Sequence, residues 1–202
     1  MSSDLAAAVH ADAATHAPWA PPAGARDPAD PTGEIARVRR AWDVLRAVPD
    51  PEVPVISVCD LGIVRDVVSH DDHLEVAVTP TYSGCPATEV IARDIATALD
   101  AAGLGPARVT QRRAPAWTTD WITPEGRDKL REYGIAPPGL CGDDKVAGTA
   151  TVSPIRLMSR NIPCPRCNSP QTERLSAFGS TACKALYRCL ACREPFEHFK
   201  PI

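Results

Sequence analysis

The sequence lacks the features that would tie it to a membrane, a nucleic acid or an organic redox cofactor. Its opening residues, Met-Ser-Ser-Asp, have neither the basic stretch nor the apolar run of a secretory signal. No segment approaches the roughly 20 apolar residues of a membrane-spanning helix. Charge of neither sign dominates: Lys plus Arg number 22 against 25 acids, for a net charge of −3 and a pI near 5.9. That balance gives no general pull toward nucleic acid or an anionic bilayer. There is no glycine fingerprint for a flavin or nicotinamide and no paired Glu/His set of the di-iron carboxylate type, which disfavours an enzyme or redox carrier in its own right.

What is present is a chain of 202 residues with eight cysteines. The length suffices for one ordinary domain plus a small satellite. With no export signal the expected location is the cytoplasm, where thiols stay reduced, so the cysteines point to metal or thiol chemistry rather than disulfides.

Residues 1–33, with "APWAPPAGARDPADPTG", show no usable periodicity and are expected to be a disordered lead. Ile35, Val38, Trp42 and Leu45 recur at helical spacing, predicting a helix over 34–48 that stops before "PDPEVP". The β-branched runs 63–69 and 74–79, separated by "HDDH", predict a hairpin. Val90, Ile91, Ile95 and Leu99 predict a helix over about 86–102, closed by Gly103. Residues 107–112 read as a third strand, and "TPEGRDKLREYG" as a helix with Thr123 at its N-cap, Pro124 at its first position and Gly134 past its end. The expected fold is therefore α+β, a small sheet with packed helices over 34–135, joined by a linker over 136–161 to a C-terminal module over 162–202. Cys141, in the linker, has no partner at ligand spacing and reads as incidental.

In that module Cys164-x-x-Cys167 is followed after 21 residues by Cys189-x-x-Cys192. Two such knuckles bring four thiolates to one tetrahedral ion, the arrangement of a structural zinc ribbon; rubredoxin-type iron uses similar ligands and stays as the alternative. So short a segment builds little core and needs the ion to fold. Cys183 reads as a packed small residue and His198 as a weak substitute ligand. The module carries six Lys/Arg against three acids. A solvated or protein-docking face explains that excess better than nucleic-acid binding.

Two further features carry chemistry. Asp50, Glu52 and Asp60 lie in "DPEVPVISVCDLGIV", where paired carboxylates suit metal binding or acid–base work and a capped turn is the structural alternative. Cys59 reads as a buried small hydrophobe. Cys85, in "YSGCPATEVI", precedes Pro86 and is expected at the positive end of a helix dipole, which favours thiolate. A Cys–His enzyme also needs a base, and only His70 and His73 are candidates, both in the expected hairpin turn. A thiolate without a base suits metal or cluster ligation, with simple packing as the alternative.

Together, "DPEVPVISVCDLGIV", "TPTYSGCPA" and "PAWTTDWIT" resemble the small-domain family of iron–sulfur assembly factors, which includes the bacterial SufT-like proteins and a eukaryotic cytosolic cluster-targeting component. Over about 34–202, with "FGSTACKALYRC" in the ribbon, the chain resembles the PaaD (PaaJ) family of subunits encoded with phenylacetyl-CoA 1,2-epoxidase. The resemblance implies a non-catalytic accessory role in aerobic phenylacetate breakdown: help in maturing the iron–sulfur or di-iron centres of that system, with the oxygenase and the iron–sulfur reductase as partners. A structural subunit that handles no metal is the alternative. It further implies a structural zinc, a transient iron or iron–sulfur cluster as cargo, and leaves room for a homodimer. By position, Asp50, Glu52 and Asp60 match the family's acidic motif and Cys85 its single functional cysteine. Thr79, Thr81 and Ser83 line the same loop, and Trp117, Thr118 and Asp120 match a second loop.

Overall fold

The computed structural model describes residues 33–82, 84–139 and 162–202. The expected lead up to residue 32, Ser83, Cys141 and nearly all of the expected linker lie outside them. Helix α1 spans Glu34–Leu45 and buries Ala41, Trp42 and Leu45. It ends three residues sooner than expected, and Ile35, read as part of its apolar stripe, is 47% exposed. Strands β1 (Val64–Ser69) and β2 (Leu74–Val78) form the expected antiparallel hairpin, tightened where the His70 N–H donates to the His73 carbonyl at 2.9 Å.

Strand β3 (Ala107–Gln111) pairs parallel with β2, giving the order β1-β2-β3. A parallel pair requires a crossover, and helix α2 (Thr88–Ala101) supplies it, burying Thr88, Ile91, Ile95 and Leu99. Helix α3 (Pro124–Tyr133) starts as the sequence predicts: Thr123 Oγ1 accepts from the Gly126 N–H at 3.0 Å. It also ends as predicted, with Gly134 in the left-handed region at φ 98°.

The linker expected from residue 136 does not begin there. The chain leaves α3 directly into a short strand, β4 (Ile135–Ala136), which pairs with the last strand of the ribbon. The ribbon sheet comprises β4, β5 (Thr172–Ser176), β6 (Lys184–Cys189) and β7 (Pro195–Phe199) in the order β4-β7-β6-β5. The ribbon keeps a small core of its own, Ala136, Cys164, Cys189 and Phe196. Cys183 and Phe199 instead join the main core, where Phe199 lies 6.0 Å from Trp117. The two modules therefore share a packed seam.

Candidate metal centre and candidate thiol site

Each ribbon knuckle is a tight turn with its following residue at positive φ: Asn168 at 58° after Cys167, and Arg193 at 69° after Cys192. Both positions hold ordinary residues in a conformation that glycine usually occupies, so the two turns are matched and each is held by its surroundings. They bring the four cysteine sulfurs within 4.8 Å of one another, with Cys164–Cys192 at 3.8 Å and Cys167–Cys189 at 3.6 Å. A tetrahedron of zinc–sulfur bonds about 2.3 Å long has sulfur–sulfur edges of about 3.8 Å, so the donor set fits a four-thiolate ion without rearrangement. The Cys192 N–H donates to Cys189 Sγ at 3.5 Å and favours the Cys189 thiolate, while contacts with the other three sulfurs push the Cys192 thiol the opposite way. Four protein ligands close the coordination sphere, so an ion here staples the ribbon and has no open position for chemistry. His198 is not among these ligands: it is buried, with Nδ1 3.2 Å from the Ala136 carbonyl and its ring edge-on to Tyr187. Burial keeps its pKa below the ordinary histidine value.

Cys85 stands in different surroundings. Its N–H donates to the Tyr82 carbonyl at 3.2 Å, and its own carbonyl accepts from Thr88 Oγ1 at 2.8 Å. Helix α2 begins only at Thr88, so Cys85 sits in the turn leading into the helix and not beside its first residue, as the Cys-Pro pair predicts. The half-buried thiol lies between two spaces. One is a small cavity of about 10 Å³ lined by Asp50, Glu52, Thr81, Cys85 and Cys183 among apolar walls. The other is an open groove of about 620 Å³ that shares Thr81 and Cys85 and extends past Thr79, Arg113 and Trp117. Asp50 is buried, and its Oδ1 accepts from the Glu52 and Val53 N–H groups at 2.9 and 2.8 Å. Burial raises the pKa of Asp50 despite those two bonds; burial and the adjacent Asp50 raise that of Glu52. Thr79 Oγ1 is buried without a hydrogen-bond partner.

The acidic motif divides into two settings. Asp50 and Glu52 line the cavity, whereas Asp60 forms a reciprocal box with Ser57: the Ser57 N–H donates to Asp60 Oδ2 at 2.9 Å, and the Asp60 N–H donates to Ser57 Oγ at 3.0 Å. Lys129 Nζ lies 2.7 Å from the same carboxylate. Burial pushes Asp60 up, but Lys129 and the Ser57 donors outweigh it and hold the group below the ordinary aspartate value. The neighbouring Gly62, at φ 68°, lies so close to the second loop that a Cβ there would come within 2.5 Å of the Trp121 carbonyl oxygen. Trp117 Nε1 donates to the Leu61 carbonyl at 2.9 Å, and Thr118 Oγ1 accepts from the Asp120 N–H at 3.4 Å, opening the short turn 119–121. The second loop thus packs onto the "DLG" end of the acidic motif, with Trp117 reaching the groove wall. Cys59 is mostly buried against the core, and that burial pushes its thiol up to about 12.

Neither His70 nor His73 lines the cavity or the groove. They stack at the turn before β2, whereas Cys85 follows the other end of that strand. With Glu75 they form a second, more exposed group of ligand-type side chains, in which His73 Nδ1 lies 2.6 Å from Asp72 and His70 Nε2 3.6 Å from Glu75. Sequence reasoning missed Cys183, which lines the Cys85 cavity, and Lys184, which acts on Asp50 and Glu52, because both arrive from the ribbon. The one available signal was their place in "FGSTACKALYRC".

Comparison with known proteins agrees with this division. The model of the PaaD zinc beta ribbon domain matches residues 150–200, and that of the iron–sulfur cluster assembly protein domain matches residues 39–110. An Escherichia coli (strain K12) protein whose name makes it a component of 1,2-phenylacetyl-CoA epoxidase is 47% identical over 166 residues, covering 82% of this chain and 94% of that relative. The chain belongs to the PaaD family. Its architecture is α+β with a C-terminal zinc ribbon, in which the four cysteines make a metal-binding site. The assembly-type part of this PaaD chain is also similar to a Porphyromonas gingivalis protein named as an Fe-S protein maturation auxiliary factor, 33% identical over 89 residues, covering 43% of this chain and 84% of that relative. A solved domain of unknown function from Bacillus anthracis is 24% identical, with a TM-score of 0.46 over 48% of this chain and 94% of that one. Among the described residues no helix is long and apolar enough to cross a membrane.

Proposed function

We propose that the protein is a non-catalytic, cytoplasmic accessory factor of the phenylacetyl-CoA epoxidase system, helping to load the iron–sulfur or di-iron centre of its reductase or oxygenase. In this reading Cys85 is the working thiol, Asp50 and Glu52 attend it, and zinc in the ribbon is structural. The observation that carries it is a half-buried thiol sharing a cavity with two carboxylates while neither candidate histidine reaches it, which is a ligand's setting and not a nucleophile's. The name of the Escherichia coli relative supports the system, and the name of the Porphyromonas gingivalis relative supports maturation.

Reconstitution of apo-reductase and apo-oxygenase with iron and sulfide tests it. Wild-type protein should raise the rate or yield of centre formation, and Cys85→Ala should fall to the unassisted level. Full loading by Cys85→Ala would remove the thiol from the function. The alternative, a structural subunit that handles no metal, is favoured by one feature: Leu175 and Phe178 on the ribbon are 50% and 64% exposed, an apolar surface suited to docking. Co-purification with the catalytic subunits at fixed stoichiometry, together with full function of Cys85→Ala, would establish that alternative.

A further inference from the structure

The hairpin turn brings together three ligand-type side chains that the loading role leaves unused. The His70 N–H donates to the His73 carbonyl at 2.9 Å across Asp71 and Asp72, which makes the two histidines a cross-strand pair between β1 and β2. The side chains of such a pair leave the sheet on one face, and so does that of a residue two positions further along the strand. His70, His73 and Glu75 therefore share a face by the period of the strand alone. Their ligand atoms all lie within 4.8 Å of one another. The two rings stack at 4.6 Å with 15° between their planes, and His70 Nε2 is 3.6 Å from Glu75 Oε2. The group is also held from outside. Thr110 Oγ1 on β3 donates to Glu75 Oε1 at 3.1 Å and leaves Oε2 facing His70. The Asp72 carboxylate, 2.6 Å from His73 Nδ1, fixes that ring. Arg37 Nη1 on α1 donates to the His70 carbonyl at 2.8 Å and to Ser69 Oγ at 3.1 Å, pinning the turn to the first helix. Outer supports of this kind orient the histidines and carboxylates of metal sites. No cation fills the space instead: Arg37 directs the rest of its guanidinium to the Leu104 carbonyl, and Arg108, opposite Glu75 in the register, makes no ion pair with it among the described residues.

We propose that His70, His73 and Glu75 bind one divalent first-row transition-metal ion at this turn, at the opposite end of β2 from Cys85. Two imidazoles and a carboxylate suit zinc, iron(II) or nickel(II) over magnesium or calcium, whose shells are built from oxygens. Bonds of about 2.1 Å place donors about 3 to 4 Å apart around an ion, so these side chains close on it by small rotations with the backbone kept. Three protein donors leave coordination positions to water, and the side chains of His70 and Glu75 are 43% and 35% exposed. An ion here is therefore open to exchange with solution, where the ribbon ion is enclosed by four thiolates. The site contains no thiol and lies outside the cavity and the groove beside Cys85, so it stands or falls independently of the loading role proposed above.

Titration of the full-length, zinc-loaded protein with nickel(II) tests the site, read by calorimetric stoichiometry and by paramagnetic loss of histidine ring signals in proton NMR. Wild type should bind one nickel beyond the ribbon ion. The ring signals of His70 and His73 should vanish before that of His198, which is buried against Ala136. His70→Ala and His73→Ala should each weaken binding at least about tenfold, and Glu75→Gln, which keeps an acceptor for Thr110, by about tenfold. Cys85→Ala should retain this uptake. Ribbon zinc and the denaturant midpoint, both expected to stay at wild-type values, show that these substitutions leave the fold intact. The site is overturned if wild type takes up no nickel beyond the ribbon ion, if either histidine variant binds as wild type does, or if uptake is lost in Cys85→Ala. Client loading by Cys85→Ala decides the preceding proposal separately.

Discussion

The chain carries two groupings of thiols built on opposite principles. The ribbon gathers four cysteines from two short knuckles and places their sulfurs at the spacing of a tetrahedral ion. The seam beside Cys85 gathers two thiols and two carboxylates from distant segments around a small cavity. The first site is closed, and its ion can only hold the fold together. The second opens toward a groove through Thr81 and Cys85. The seam exists only because the ribbon is folded, since Cys183 and Phe199 reach the main core from β6 and β7. The ribbon metal site and the seam thiols are thus separate in chemistry and joined in mechanics.

The most severe way to break this comparison is to remove the ribbon ion. Cys164→Ser, or chelation of the ribbon metal, should unfold the ribbon, because its own core is only four buried residues and structural zinc contributes on the order of 10 kcal/mol in modules of this kind. The seam should then lose the packing of Cys183 and Phe199 although no seam residue has been altered. Zinc content measured beside near-UV circular dichroism of the buried tryptophans checks this, and an undisturbed main core after ribbon loss would show that the two modules are mechanically independent.

A smaller effect is expected at Lys184, which is 3% exposed, pairs with Glu197, and acts on Asp50 and Glu52. Lys184→Met should destabilise the protein by about 3 kcal/mol, near the lower end of what breaking a buried pair costs, because Glu197 is left without its partner. Denaturant midpoints would measure it.

The two sites also differ in how far the sequence reveals them. The knuckle ligands are adjacent in sequence and obey a fixed spacing, so composition and spacing alone identify them. The hairpin, the helix over Pro124–Tyr133 with its cap and stop, and the helix between β2 and β3 are legible in the same way, since each is written in local periodicity or capping residues, whereas the parallel pairing of β3 with β2 is not. The seam is not written locally. Glu52 and Cys183 meet through the packing of Phe199 against Trp117, a contact that no window of the sequence contains. The place of Cys85 is hidden for a related reason: Cys-Pro predicts a helix start, but the Cys85 N–H and the Thr88 hydroxyl close a turn first. The three acids of one motif look equivalent in sequence, yet only a fold that brings Lys129 beneath Asp60 separates that residue from Asp50 and Glu52.

That separation yields the smallest and most discriminating prediction. Asp60 is a structural group with its pKa held low by Lys129 and Ser57, in spite of its burial. A carboxylate depressed in the folded state contributes stability above its unfolded pKa, about 3.9. The contribution is lost as pH falls through the lower folded value. Lys129→Met should therefore reduce stability at neutral pH by less than about 1 kcal/mol, because the lysine side chain is 45% exposed and solvent screens the pair. The difference from wild type should shrink as pH falls from about 4 through the lower folded value of wild-type Asp60, and vanish only below it, where both proteins carry a protonated Asp60. Client loading should be unchanged, since Asp60 does not line the cavity. A Lys129→Met protein that folds normally but loses client loading would show that the acidic motif works as one unit after all.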